Sequence, residues 1–128
     1  MTIHHTAILA YDIERLKEFY IRYFGAQAGA RYHNPVRELT SYFLTFPGGG
    51  ATLELMNVPG IIDAPCRDKI RGLCHIAVST GSREKVDELT ALMRAHGITV
   101  IGEPRTTGDG YYESVVADPE GNHIELTV

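Results

Sequence analysis

No long apolar run, no surplus of basic residues and almost no cysteine are found in this 128-residue chain, and each shortage removes a class of function. Without roughly 18 consecutive apolar residues, no transmembrane helix is expected. Lysine and arginine number 12 against 16 aspartates and glutamates, a formal net charge of −4. The basic stripe that a phosphate backbone demands is missing, so no nucleic-acid partner is expected. Two cysteines, Cys66 and Cys74, are too few for a disulfide framework and read as reduced thiols of a cytoplasmic protein. The opening Met1-Thr2-Ile3-His4-His5 lacks the basic and apolar segments of a secretory signal. What remains, 44% hydrophobic and 22% charged residues, is the composition of a soluble globular protein. The length suits a single domain, 1–128, with a real core.

Within that ordinary composition lies an internal repeat. The chain reads His5-Thr6-Ala7-Ile8 and later Glu54-Leu55, then His75-Ile76-Ala77-Val78 and later Glu125-Leu126. His5 and Glu54 are 49 positions apart, His75 and Glu125 50. Hydrophobic periodicity fits the same doubling. Residues 3–10 read as a buried strand. Asp12 caps a helix whose apolar positions include Leu16, Phe19, Tyr20, Tyr23 and Phe24, and Gly25 ends it. Strands are expected at 29–32, 39–46 and, after the Pro47-Gly48-Gly49-Gly50 turn, 51–58. Residues 59–71 carry Pro59, Gly60 and Pro65 without periodicity and read as a linker. The second half repeats the pattern: a strand at 72–79, a helix capped by Ser82 with Val86, Leu89, Leu92 and Met93 inward and closed by Gly97, then strands at 98–102, 111–117 and 123–128. The Asp118-Pro119-Glu120-Gly121-Asn122 turn precedes the last strand. The expected class is α+β, two tandem β-α-β-β-β modules at about 1–58 and 72–128.

Each histidine sits on the first strand of its module and each glutamate on the last. Alternation along a strand sends His4 away from His5 and places Ala7 and Leu9 on the face of His5, Thr52 and Met56 on that of Glu54, and His123 on that of Glu125. Singly, each residue has a bland explanation, because a histidine on a strand is often a satisfied structural residue. A glutamate between apolar neighbours, as in Leu53-Glu54-Leu55 and Ile124-Glu125-Leu126, is less bland, since a buried carboxylate needs a partner. Two imidazoles and two carboxylates at matched positions point to a metal site of hard-to-borderline character. His4, His33 and His96 read as solvated or structural. Tyr111 and Tyr112 read first as packing residues, and the glycine run as a turn without a phosphate loop's lysine.

At these stretches, together with Asp12, Phe19-Tyr20 and the run from Asp118 to Leu126, the chain resembles the vicinal oxygen chelate superfamily, and within it the glyoxalase I-like (lactoylglutathione lyase-like) proteins. The resemblance covers essentially the whole chain. It implies a glyoxalase/bleomycin-resistance/dioxygenase-type fold, ligands His5, Glu54, His75 and Glu125 in the glyoxalase I order, and a homodimer, since in many relatives the site forms at a dimer interface with ligands from both chains; the resemblance leaves open whether one chain or two supplies them here. Antibiotic-sequestering relatives usually lack the ligands, acyl-CoA epimerases usually carry Gln where this chain has Glu54, and extradiol dioxygenases and fosfomycin-modifying relatives use three. Glutathione-using glyoxalases typically have an Arg on the first strand where this chain has Leu9. Arg37 could supply that charge, Asn57 lies one residue from the family's glutathione-contacting Asn, and His123 is a further candidate contact.

The implied chemistry is proton transfer next to a carbonyl in a small-molecule substrate. A divalent cation with positions open for two vicinal oxygens would stabilise an enediolate, and Glu125, or alternatively Glu54, would move the proton. Six-coordination favours Ni²⁺ or Co²⁺, with Zn²⁺ and Mn²⁺ also compatible with these ligands. The expected function is a metal-dependent glyoxalase I-like isomerase-lyase acting on a 2-oxoaldehyde thiol adduct or similar small molecule. The alternatives are a sequestering, resistance-type binding protein and a metal-dependent epimerase.

Overall fold

In a computed structural model, residues 1–63, 69 and 71–128 are described. Cys66 and Pro65 lie outside them. The chain divides into two compact units, Met1–Asp63 and Ala64–Val128. Each is a sheet with one helix on one face, so the architecture is α+β with two β-α-β-β-β modules, as the repeat predicts. Among the described residues no helix is long and apolar enough to cross a membrane.

The first unit contains β1 (His5–Leu9), α1 (Ile13–Phe24), β2 (Gln27–Ala28), β3 (Tyr32–Asn34), β4 (Leu39–Thr45) and β5 (Thr52–Asn57). The strand order is β1-β5-β4-β2, with β3 also paired to β4. The Asp12 side chain accepts from the Arg15 N–H and starts α1, while Gly25, at φ 63°, ends it. That left-handed conformation suits glycine, which has no Cβ to clash. Ile13, Leu16, Phe19 and Tyr20 are buried. They meet the buried side of the sheet, where Leu44, Leu53 and Leu55 are almost fully enclosed.

The strand expected at 29–32 falls mostly in the gap between β2 and β3: residues 29–31 are not strand, and only Tyr32 belongs to β3. Ala28 pairs with Leu44 and Tyr32 with Ser41, so four steps along this edge oppose three along β4. The extra residue is a bulge, and it interrupts the ladder where a continuous strand was expected.

The second unit contains β6 (His75–Ser79), α2 (Arg83–Ala95), β7 (Val100–Thr106), β8 (Tyr112–Ala117) and β9 (His123–Thr127), in the order β6-β9-β8-β7. Ser82 caps α2 by accepting from the Lys85 N–H. Its buried stripe is Val86, Thr90 and Met93. Leu92, expected inward, is exposed. Positions 86, 90 and 93 follow the helical repeat more closely, and Thr90 pays for its hydroxyl with two bonds. It donates to the Val86 carbonyl at 2.6 Å, which leaves the Ser114 hydroxyl, also 2.6 Å away, to donate to it.

Polar ties fasten each helix to its sheet. In the first unit the Tyr42 hydroxyl donates to Glu14 at 2.8 Å and the Lys17 ammonium to the same carboxylate at 2.6 Å. In the second the Tyr112 hydroxyl donates to Asp87 at 2.7 Å. The Lys17 bond, then the Tyr42 bond, hold the Glu14 carboxyl below the ordinary carboxylate range. A lowered acid contributes stability while ionised and loses that contribution as pH falls through its folded-state pKa. Urea unfolding should therefore show Glu14→Gln weaker than wild type at pH 7, with the gap narrowing as pH falls through the acid range; a difference that does not change with pH would refute the tie. Leu55→Ala and Leu126→Ala, each removing a fully buried side chain, should each cost about 3 kcal/mol, and a loss under about 1 kcal/mol in either would contradict the assigned core.

Candidate functional site

In both units the first and last strands are parallel neighbours. His5 of β1 registers with Thr52 of β5, and Ala7 with Glu54. His75 of β6 registers with His123 of β9, and Ala77 with Glu125. Each histidine therefore lies diagonally across from its glutamate, on the sheet face opposite the helix. His5 Nε2 is 3.8 Å from Glu54 Oε2, and His75 Nε2 is 3.5 Å from Glu125 Oε2. Exposure matches as well: 41% and 45% for the imidazoles, 15% and 17% for the carboxylates. The repeat in sequence is a repeat in geometry.

These separations are long for a hydrogen bond. They suit two ligands of one ion, each about 2.0–2.2 Å from it. The donor set, imidazole with carboxylate, fits a borderline divalent cation. Each unit supplies two donors, and among the described residues no three His, Cys, Asp or Glu side chains gather as a cluster for an ion.

The surroundings of the two pairs differ. His5 stands edge-on to Phe43, with ring centroids 5.4 Å apart, and its Nδ1 is 2.9 Å from His4 Nδ1. His4 precedes β1, so it escapes strand alternation and turns toward His5 instead of away. Phe43 and Leu9 are exposed, and Met56 is half-buried; all share the face of Glu54. The second pair has polar company. Glu113, on β8, is 9% exposed and accepts from Arg105 Nη2 at 3.1 Å. Burial raises the Glu125 carboxyl above the ordinary carboxylate range, the Glu113 carboxylate pushes the same way, and His75 opposes both.

Other expected site residues fall in different places. His123 lies on the face of Glu125, registered with His75. Asn57 lies on the opposite face from Glu54, and its amide donates to the carbonyls of Ala10 and Tyr11 at 2.9 and 3.2 Å. It ties the end of β5 to the β1–α1 connection. Arg37 is exposed in the turn between β3 and β4, where its N–H donates to Asn34 Oδ1 at 3.1 Å. Cys74 is an exposed free thiol. Arg105 and Glu113 were not singled out from the sequence. The available signal was a charged residue inside Tyr112-Glu113-Ser114-Val115, the same signature that marked Glu54 and Glu125.

The sequence profile of the Glyoxalase/Bleomycin resistance protein/Dioxygenase superfamily matches residues 2–126. A Bacillus subtilis (strain 168) protein named YwkD, itself described as uncharacterised, is 34% identical over 128 residues, spanning 98% of this chain and 94% of its own. A glyoxalase family protein from Enterococcus faecalis superposes with a TM-score of 0.80 at 25% identity, covering 98% of this chain and 96% of that one. The trypanothione-dependent glyoxalase I of Leishmania major superposes with a TM-score of 0.78 at 29% identity, covering 99% and 86%.

A raised acid pKa means that the folded chain favours the neutral form, so ionised Glu125 opposes folding at neutral pH when no cation balances it. In the presence of chelator, Glu125→Gln should melt no lower than wild type. A drop of about 4 °C or more, on the order of 1 kcal/mol for a chain of this size, would show instead that the carboxylate supports the fold.

Proposed function

From the premise that this chain belongs to the Glyoxalase/Bleomycin resistance protein/Dioxygenase superfamily, we propose that it is a metal-dependent isomerase-lyase of the glyoxalase I type, acting on a 2-oxoaldehyde thiol adduct or a similar small molecule. The observation that carries this reading is the doubled pair, His5 with Glu54 and His75 with Glu125, at matched separations and exposures. A fold-stabilising role would call for neither pair, because an exposed imidazole beside a half-buried carboxylate adds little to stability. The sequestering alternative requires no ligand set and gains no support from these residues, and Glu54 stands where the epimerases usually carry Gln.

In this reading the four side chains hold one divalent cation, Ni²⁺, Co²⁺ or Zn²⁺, with Mn²⁺ also compatible. When bound, the cation supplies Lewis-acid stabilisation of negative charge on vicinal substrate oxygens. Glu125 is the proton carrier. Its Oε2 takes the proton from the carbon beside the carbonyl and returns it to the neighbouring carbon. The surroundings of Glu125 favour that assignment over Glu54, since a second carboxylate, Glu113, lies diagonally beside it on β8 while Glu54 stands beside Phe43. A cytoplasmic homodimer is the expected setting.

The metal-loaded chain should turn over methylglyoxal in the presence of a thiol, assayed with glutathione and with a smaller thiol in parallel. Glu125→Gln should lose about 10³-fold in kcat while its circular dichroism stays that of wild type. Turnover retained in that variant would remove Glu125 as the base, and no turnover with any thiol would remove the lyase reading.

A further inference from the structure

The second unit carries a construction that the ligand set does not use. Arg105 and Gly102 lie three residues apart on β7, so in a regular strand they would face opposite ways. Here both lie on the open face. Gly102 registers with Val115 and Arg105 with Glu113, and the register shifts between them. The bulge turns Arg105 over. Gly102 then makes room for it: a Cβ at that position would lie 2.9 Å from Arg105 Nη1. The guanidinium lies back across the sheet and binds the carboxylate of Glu113, which is 9% exposed. On the same face, Glu125 registers with Val115 and Glu113 with Thr127, so the two glutamates are diagonal neighbours on β8 and β9.

A simple cross-strand ion pair would need none of this. Such pairs form between exposed side chains in regular strands and add little stability. Burying a carboxylate, bending a strand and placing glycine in it all oppose folding. An arrangement that costs stability from three directions, beside the proposed proton carrier, has the character of a functional site. A carboxylate has about four acceptor positions; Arg105 uses one and the contact with Glu125 a second, which leaves room for a further donor.

Resting on the proposed function above, we propose that Glu113, held by Arg105, is a substrate-recognition residue that accepts a hydrogen bond from a hydroxyl group of the substrate. Arg105 already balances the charge of Glu113, so a neutral donor matches the pair better than a cation does. The substrate class is therefore an α-oxo compound carrying a hydroxyl that reaches Glu113.

Two metal-chelating hydroxamates that differ by one hydroxyl separate this proposal from the reading on which it rests. Binding of acetohydroxamate and glycolohydroxamate to the Ni²⁺-loaded chain would be measured by calorimetry. Wild type should bind glycolohydroxamate about tenfold more tightly, the size expected for one hydrogen bond to a charged acceptor. Glu113→Leu should bind both at the wild-type acetohydroxamate affinity. Glu113→Gln, which keeps the shape but removes the charge and turns one acceptor oxygen into an N–H donor, should keep a preference of about threefold or less and serves as the measurement if the leucine variant does not fold. Equal binding of the two compounds by wild type, or an undiminished preference in the variants, would overturn the recognition role and leave the metal site standing. Binding of neither compound by metal-loaded wild type would overturn the proposed function and this inference together.

Discussion

Each sheet can bury only one of its faces against its single helix, and the rest of the structure depends on that constraint. In the first unit Leu53 and Leu55 are enclosed while Glu54 between them is not; in the second Ile124 and Leu126 are enclosed around Glu125. Because side chains alternate along a strand, packing the leucines against α1 or α2 sends the glutamate to the other side with no further instruction. The same rule places His5 and His75. The hydrophobic effect thus positions polar groups that take no part in it.

Topology does the remaining work. A histidine and a glutamate about 50 positions apart become neighbours because the last strand of each unit inserts beside the first as its parallel partner. The helix crossover between them belongs to the same arrangement, since parallel neighbours require a long connection. Divergence then acts on the surroundings. One pair stands among Phe43, Leu9 and Met56, the other beside Glu113 and Arg105. Under the proposed function, matched pairs in unlike environments would let one carboxylate move a proton while the other keeps to holding the ion.

Much of this was legible in the sequence, and the parts that were not share a cause. Helix caps at Asp12 and Ser82, the stops at Gly25 and Gly97, and the four ligand candidates follow local rules of spacing and periodicity, and they can be read off one chain. The division of β2 from β3 and the rotation of Arg105 onto the open face arise from bulges, in which one extra residue reverses the direction of every side chain that follows. Nothing in composition announces that residue. Thr90 replaced Leu92 on the buried stripe because Ser114, on a distant strand, satisfies its hydroxyl, a tertiary partner that helical periodicity alone does not reveal. Asn57 was placed near a substrate by resemblance to relatives, and here its amide holds the backbone at Ala10 and Tyr11.

The central claim is the proposal that His5, Glu54, His75 and Glu125 all serve to bind a divalent ion. Metal content per chain, measured by mass spectrometry after dialysis for wild type, His5→Ala, His75→Ala and the double variant, tests it most directly. The account predicts about one divalent ion per wild-type chain and none in either single variant, because each removes a ligand from the same ion. Two ions per chain with one lost in each single variant, or no ion in wild type, would contradict it.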